Sequence, residues 1–124
     1  MTRARIALGA SGEDLAAEYL QGKGFRILSR NYRTPLGELD LVARHKDVLV
    51  FVEVKTRRSV RFGAGFEAVG PDKQRRLSRM AVSYMVREKV TGVRCRFDVV
   101  SIQGDRKTLV HIPNAFEMVG EWMG

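Results

Sequence analysis

Two carboxylates and one amine lie at a spacing that could serve a common ligand. Twelve residues separate Asp40 from Glu53, and Lys55 follows two positions after Glu53. Side chains two residues apart in a β-strand point to the same face of a sheet, so Glu53 and Lys55 would share a face. Two facing carboxylates with open positions for water and phosphate suit a hard cation. Asp40 and Glu53 therefore predict a site for Mg²⁺.

A β-hairpin would have to hold these side chains together. Valine recurs at alternate positions in 48–55, and we predict strands over 38–44 and 48–55. If a two-residue turn at Lys46–Asp47 joins them, Asp40 lies directly opposite Glu53, with Cβ atoms ~4.5–5.5 Å apart. Two carboxylates separated by about 5 Å repel each other by about 3 kcal/mol at an effective dielectric constant of roughly 20. A divalent cation between them would convert this repulsion into attraction.

Two alternatives account for the same residues without a metal. The same register places Lys55 opposite Glu38, as a cross-strand ion pair that would stabilise the hairpin by only a few tenths of a kcal/mol. This ion pair would leave Asp40 facing Glu53 without a counter-charge. A turn of another length would shift the register by one residue and put Asp40 and Glu53 on opposite faces.

The chain as a whole predicts one α/β domain over residues 1–124. Ser11 and Asp14 have capping-box spacing ahead of an apolar helical stripe, and Pro71 suits the first position of a second helix. The predicted order of elements is α-β-β-β-α-β with a tail. Outside the hairpin we expect helices over 13–21 and 71–89, strands over 25–33, 94–103 and 108–112, a loop over 56–70, and a brief helix or coil from Pro113 onward.

Composition excludes several classes of protein. Hydrophobic residues make up 44% and charged residues 29% of the 124 residues, as in globular proteins and not in disordered or fibrous ones. The single cysteine, Cys95, has no partner for an intramolecular disulfide or a cysteine-based zinc site, which favours a reducing, cytoplasmic location. No apolar run is long enough for a transmembrane helix, and the first residues lack the apolar stretch of a secretory signal. We therefore expect no membrane partner.

An excess of positive charge indicates a polyanionic partner. The 22 Lys and Arg residues outnumber the 14 Asp and Glu residues, which gives a formal net charge of +8. Residues 53–96 hold 12 basic and 4 acidic side chains, so this segment carries a charge equal to the whole excess. Such a surplus favours a nucleic-acid surface over a merely solvated basic face, although charge does not separate DNA from RNA or from an acidic protein. The candidate nucleic-acid-binding residues are Arg57, Arg58, Arg61, Lys73, Arg75, Arg76 and Arg79.

Six short blocks follow one another along nearly the whole chain. They are Gly12-Glu13, Tyr19-Leu20, Gly37-Glu38-Leu39-Asp40-Leu41, Phe51-Val52-Glu53-Val54-Lys55, Ala68-Val69 and Arg96-Phe97-Asp98-Val99-Val100. In this order they resemble the YraN family of predicted endonucleases, which is related in pattern to archaeal Holliday-junction resolvases. Asp40, followed after twelve residues by Glu53-Val54-Lys55, resembles the PD-(D/E)XK nuclease signature. This resemblance implies a restriction-endonuclease-like αβββαβ core with a central mixed sheet flanked by helices.

The resemblance also implies a function and assigns roles. The chain would be a metal-dependent endonuclease acting on DNA, including branched or structured DNA. Asp40 and Glu53 would bind Mg²⁺ or Mn²⁺, and Lys55 would orient or help deprotonate the attacking water and steady the charge on the phosphate. Glu13 matches the acid on the first helix of the resolvases, where it completes the metal shell. The helix dipole, however, favours an acid in the first turn whatever its function. A junction-resolving enzyme needs two active sites, which implies a homodimer.

Two other functions are compatible with these residues. A non-catalytic nucleic-acid-binding module would keep the same fold and use only the basic face. A scaffold that contacts an acidic protein would use the positive charge but not the acidic cluster. Convergence of Asp40, Glu53 and Lys55 in one cleft would favour the nuclease over both.

Two further features are interpreted as structural. Asp98 would share a strand face with Arg94 and Arg96, and we interpret it as an ion-paired structural acid and not as a third metal ligand. The glycine-containing segment 63–68 echoes a dinucleotide-binding fingerprint, but arginines separate it from the preceding strand. We interpret it as a flexible loop.

Overall fold

A computed structural model describes residues 11–57, 69–103 and 108–118. These residues form two helices and five strands, and their order confirms the predicted α-β-β-β-α-β sequence with one more strand in the tail. Segment 63–68, interpreted above as a loop, lies outside the described residues. The elements are α1 (Gly12–Gly22), β1 (Arg26–Thr34), β2 (Gly37–His45), β3 (Val48–Arg57), α2 (Pro71–Arg87), β4 (Arg94–Gln103) and β5 (Thr108–Phe116).

The strands form one mixed sheet in the order β1-β2-β3-β4-β5. β2 is antiparallel to both β1 and β3, β3 and β4 run parallel, and β5 is antiparallel to β4. A parallel pair needs a crossover connection, and α2 supplies it. The predicted α/β class with a central mixed sheet flanked by helices is confirmed.

Two hydrophobic cores lie on opposite faces of this sheet. Alternate residues of β3 divide between them, since Val50 and Val52 pack with α1 whereas Leu49 and Phe51 pack with α2. The α1 core also contains Phe25. The central strands of the sheet are thus buried on both faces.

The β2–β3 hairpin has the predicted register. Its ladder runs from His45 opposite Val48 to Leu41 opposite Val52. The turn is the expected two-residue connection at Lys46–Asp47, where Lys46 has a positive φ of 57°. The alternative register, in which Asp40 and Glu53 face opposite sides of the sheet, is wrong because the turn has two residues.

Both helices begin near the carboxyl end of β3. The crossover from β3 to the parallel strand β4 runs back along the sheet, so α2 starts at the end where β3 stops. α1 approaches the same end because residue 12 is glycine. A Cβ atom on Gly12 would lie 2.3 Å from Thr56 Oγ1, so a larger residue would force α1 or Thr56 to move.

The end of the chain departs from the prediction. β5 continues to Phe116, so the helix or coil expected from Pro113 onward is wrong within the described residues. The β4–β5 register shifts between Phe97 and Val99, where β5 contributes extra residues. The Asp98 side chain accepts a hydrogen bond of 2.9 Å from the backbone N–H of Asn114, which holds this irregular segment in the sheet.

Neither described helix has the length and apolar character needed to span a membrane.

Candidate active site

Asp40 lies where the β2–β3 ladder stops. The last ladder pair is Leu41 with Val52, so the register is confirmed and the ladder ends one step before the predicted Asp40–Glu53 pair. Asp40 Oδ2 instead accepts a hydrogen bond of 2.8 Å from the backbone N–H of Val54. The carboxylate takes the place of a backbone acceptor at the end of the hairpin. This bond fixes the direction of the Asp40 side chain.

Asn31 holds Glu13 next to this position. The β1–β2 register leaves Asn31 level with Asp40. Asn31 has a φ of 52°, a left-handed conformation that asparagine tolerates better than most residues. Its Nδ2 donates to both carboxylate oxygens of Glu13, at 2.9 and 3.0 Å. The conformation of β1 thus orients an acid that belongs to α1.

The start of α1 is fixed by the predicted capping box. Ser11 Oγ accepts a hydrogen bond of 3.0 Å from the backbone N–H of Asp14, and Asp14 Oδ2 accepts one of 3.3 Å from the backbone N–H of Ser11. Asp14 also pairs with Arg30 of β1. Both acids of the first turn therefore contact β1. Of the two, only Glu13 acts on the charge of Asp40.

Glu53 contacts a lysine from the opposite side of the site. Lys73 Nζ lies 2.5 Å from Glu53 Oε2, and the Glu53 side chain is only 13% exposed. Lys73 stands in the first turn of α2, where the helix dipole disfavours a cation. The ion pair is thus a tertiary contact that helix stability does not require. Sequence reasoning groups Lys73 with the nucleic-acid-binding residues and misses this pair.

The carboxylate of Asp40 responds to both of the other acids. Burial is the largest cause that raises the pKa of Asp40 from 3.8 to about 6, and the negative charges of Glu53 and Glu13 raise it as well. The hydrogen bond from Val54 and the positive charge of Lys73 lower the pKa without cancelling the increase. Asn31, which holds Glu13, lies level with Asp40, and Asp40 accepts a hydrogen bond from Val54, the residue after Glu53. The structure therefore brings Glu13, Asp40 and Glu53 together from three different elements.

Lys55 lies on the same face of β3 as Glu53. It is partly buried, and the parallel register sets it beside Ser101 of β4. The alternative Glu38–Lys55 ion pair is wrong, because Glu38 Oε2 lies 3.3 Å from Arg33 Nε. Among the described residues, no carboxylate lies within ion-pair distance of the Lys55 ammonium.

Two buried polar side chains extend this face and were missed by sequence reasoning. Ser101 Oγ and Gln103 Oε1 are buried and have no hydrogen-bond partner among the residues that the structure describes. Their positions beside Lys55 and Arg57 follow from the β3–β4 register. The available signal was a serine and a glutamine at alternate positions of a strand whose other residues around them are apolar. Buried polar atoms normally have partners, so these two are candidates to contact water or ligand at the site.

The predicted basic surface is described only in part. Arg58 and Arg61 lie outside the described residues, and Arg57 ends β3. Arg75 pairs with Asp72 at 2.7 Å. Arg76 and Arg79 are exposed on α2, and within the described part of the chain neither forms an ion pair.

A comparison with protein-family models supplies the family. The model described as "Uncharacterised protein family UPF0102" matches residues 12–102. The chain belongs to the UPF0102 family. A UPF0102 protein of Syntrophotalea carbinolica is 49% identical over 122 residues, which cover 97% of this chain and 99% of the relative. A UPF0102 protein of Geobacter sulfurreducens is 47% identical over 114 residues, which cover 90% of this chain and 89% of the relative.

A solved structure shows a weak similarity to this UPF0102 chain. It is Pyrococcus furiosus SfsA in complex with Ca²⁺, with 14% sequence identity and a TM-score of 0.37. The match covers 80% of this chain and 58% of the SfsA chain, so the UPF0102 chain corresponds to less than two thirds of SfsA.

Asp98 is the other buried acid of this UPF0102 chain, and the expected structural interpretation agrees with its contacts. It is 1% exposed. Its oxygens accept hydrogen bonds from Arg96 Nε at 2.9 Å, from Arg96 Nη2 at 3.1 Å and from the backbone N–H of Asn114, and lie 2.8 Å from His111 Nε2. Arg94 forms no ion pair with it in the described part of the chain. Asp98 thus joins β4 to β5 and has no remaining capacity for a metal.

The donor chemistry of the acidic site fits a hard divalent cation. Glu13, Asp40 and Glu53 offer only carboxylate oxygens, which are the ligands that Mg²⁺ and Mn²⁺ prefer. As the side chains stand, no group of three His, Cys, Asp or Glu residues within the described ranges is arranged to enclose a metal ion. Asn31 engages Glu13 and Lys73 engages Glu53, so a positive ammonium already stands where a cation would be attracted.

Proposed function

We propose that this UPF0102 protein is a metal-dependent nuclease that hydrolyses phosphodiester bonds in DNA. The observation that carries the proposal is the convergence of Glu13, Asp40 and Glu53 at the carboxyl end of β3, where burial and mutual repulsion raise the pKa of Asp40 to about 6. Three acids held together at a cost to stability indicate a function that uses their charge. Lys55, on the same face as Glu53, supplies the nearby amine.

Each side chain has a distinct task in this function. Asp40 and Glu53 would hold Mg²⁺ or Mn²⁺, and Glu13 would contribute a third carboxylate from α1. When bound, the cation would supply a water of lowered pKa and neutralise charge on the phosphate. Lys55 would hold the attacking water in place and place positive charge beside the phosphate where negative charge grows.

The DNA would be recognised mainly through its backbone. Arg76 and Arg79 project from α2 into solvent and are suited to phosphate contacts, with affinity that falls steeply as salt rises. Aromatic residues make up only 8% of the chain, so base stacking would contribute little. Shape would then select the substrate, which favours branched or structured DNA, and paired cuts in such DNA would require a homodimer. The half-buried, unpaired Cys95 is compatible with a reducing cytoplasm.

A second candidate function is supported by one contact. Lys73 already neutralises Glu53, so the acidic site is partly satisfied without metal. A non-catalytic module that binds nucleic acid on the nuclease-like fold would need nothing more.

A cleavage assay distinguishes the nuclease from the non-catalytic binding module. Labelled linear, flapped and four-way-junction DNA would be incubated with the protein in Mg²⁺ or Mn²⁺. We expect the wild type to cut, and Glu53→Gln to cut at least about 100-fold more slowly while still binding DNA. Glu38→Gln is the matched control, because it removes an exposed carboxylate from the same hairpin. If the wild type binds DNA as tightly as Glu53→Gln and neither cuts, the protein is a binding module.

A further inference from the structure

Lys73 occupies the position of a cation in the acidic site. Its ammonium contacts Glu53, whose side chain is almost fully enclosed, while the Lys73 side chain remains 39% exposed. Its charge also acts on Asp40. One positive group therefore serves two of the three acids and keeps a route to solvent.

The placement of Lys73 is not explained by the stability of α2. Lys73 lies one turn ahead of Leu77 on the stripe that packs against the sheet. The N-cap residue, Gly70, provides no side-chain hydrogen bond. The start of α2 thus carries a lysine at the positive end of the helix dipole, both of which attract a phosphate, while Asp72 of the same turn is paired with Arg75.

We propose that Lys73 is a resident counter-ion that a divalent metal displaces from Glu53 and that a DNA phosphate then receives. The proposal rests on the proposed function and adds a coupling to it. Without DNA, the displaced ammonium has no anionic partner and opposes the metal. With DNA bound, the phosphate takes the ammonium, and the metal gains Glu53. Lys73 is therefore a positioning residue that makes metal binding and DNA binding reinforce each other.

Calorimetric titration of Mn²⁺ into the protein tests this without measuring cleavage. Without DNA, we expect Lys73→Met to bind Mn²⁺ at least about 5-fold more tightly than the wild type. With a cleavage-resistant phosphorothioate duplex present, we expect the wild type to gain at least about 5-fold in Mn²⁺ affinity. Lys73→Met should gain less than the wild type, because only the direct attraction between metal and phosphate remains.

Arg79→Met is the matched control, because it removes an exposed cation from the same helix that does not contact Glu53. It should weaken DNA binding and leave both the Mn²⁺ affinity and its gain with DNA unchanged. Lys73→Gln, an uncharged variant that can still donate a hydrogen bond to Glu53, serves if Lys73→Met fails to fold by circular dichroism.

The outcomes separate this proposal from the proposed function. If Mn²⁺ binds to the wild type but not to Glu53→Gln, and the Lys73 variants match the wild type with and without DNA, the coupling is overturned and the metal site stands. If Mn²⁺ binds Glu53→Gln as well as the wild type, or binds neither protein even with the duplex present, the metal site itself is overturned and the coupling with it.

Discussion

Asp40 and Asp98 lie in the same sheet and both lose solvent, but their surroundings are opposite. Asp98 is paired with Arg96 and His111 and bonded to a backbone N–H. Burial alone would raise the pKa of Asp98, yet its hydrogen bonds outweigh burial and the pKa lies below the usual 3.8. Asp40 has one backbone hydrogen bond and two acidic neighbours, and its pKa rises to about 6.

The difference separates two uses of a buried acid. Where the charge is fully paired, as at Asp98, the acid stabilises the fold and is closed to ligands. Where repulsion is left in place, as at Asp40, the fold is weakened, and an added cation would relieve the repulsion. Burial by itself therefore does not distinguish the two acids, whereas the pairing of their charge does.

Replacing Asp98 and Asp40 by asparagine, one at a time, should give the largest difference in the free energy of unfolding. We expect Asp98→Asn to lower the free energy of unfolding by about 3 kcal/mol, because Arg96 and His111 lose their buried counter-charge. Asp40→Asn should leave stability unchanged or raise it by up to about 1 kcal/mol at pH 7, because an amide oxygen still accepts from Val54 and the repulsion is gone. Urea denaturation at neutral pH in EDTA measures both.

A loss of stability in Asp40→Asn as large as that in Asp98→Asn would contradict the comparison. Far-UV circular dichroism of both variants confirms that the change is one of stability and not of fold.

The pH dependence of stability should have opposite signs at the two acids. The folded state holds a proton on Asp40 more tightly than the unfolded chain does. The stability from this group is therefore complete below about pH 4 and is lost as pH rises through about 6. Because the side chain is only partly buried, we expect a loss of about 1–2 kcal/mol, less than the full shift would give. The lowered pKa of Asp98 gives the reverse, with stability lost as pH falls below the usual 3.8.

Carboxyl ¹³C NMR titration measures the pKa of Asp40 and of Asp98 directly. Urea denaturation between pH 4 and pH 7 measures the free energy of unfolding. Asp40→Asn is the control, since it should remove the loss between about pH 4 and about pH 7. A midpoint for Asp40 near 3.8 in metal-free buffer would remove the distinction between the two acids.

The exposed ion pair between Arg33 and Glu38 should show the smallest effect. Glu38→Gln removes a carboxylate from the same strand as Asp40, but the two side chains are 85% and 41% exposed. We expect a change of no more than about 0.5 kcal/mol, because exposed ion pairs are screened by water and salt. A larger loss in the free energy of unfolding, measured by urea denaturation, would contradict this expectation. It would mean that position in β2, and not burial, determines how much a carboxylate contributes to stability.

The local part of the site was predictable from the sequence. The alternating valines and the short turn at Lys46–Asp47 set the hairpin register, so the strand pattern alone assigns Glu53 and Lys55 to one face. The capping box at Ser11 was equally local. In each case, the information lies within a few residues of the feature.

The contacts that define the site were not predictable in this way. The Glu13–Asn31 and Glu53–Lys73 contacts join elements distant in the sequence, and charge type alone does not choose among many basic and polar partners. Asn31 also adopts a positive φ, which strand propensity does not predict. The extension of β5 past Pro113 was missed because it depends on Asp98 bonding to Asn114. The UPF0102 relatives establish the family but not these pairings.

The parallel pairing of β3 with β4 also bears on the order in which the chain assembles. α1 and the β1-β2-β3 meander join near neighbours in the sequence, whereas β4 reaches β3 only after the α2 crossover, and such distant pairings form more slowly. Glu13, Asp40 and Glu53 all belong to the early part, and Lys73 arrives with the later one. We therefore expect the acids to come together before their counter-charge, so that mildly acidic conditions or a divalent cation should accelerate folding of the meander.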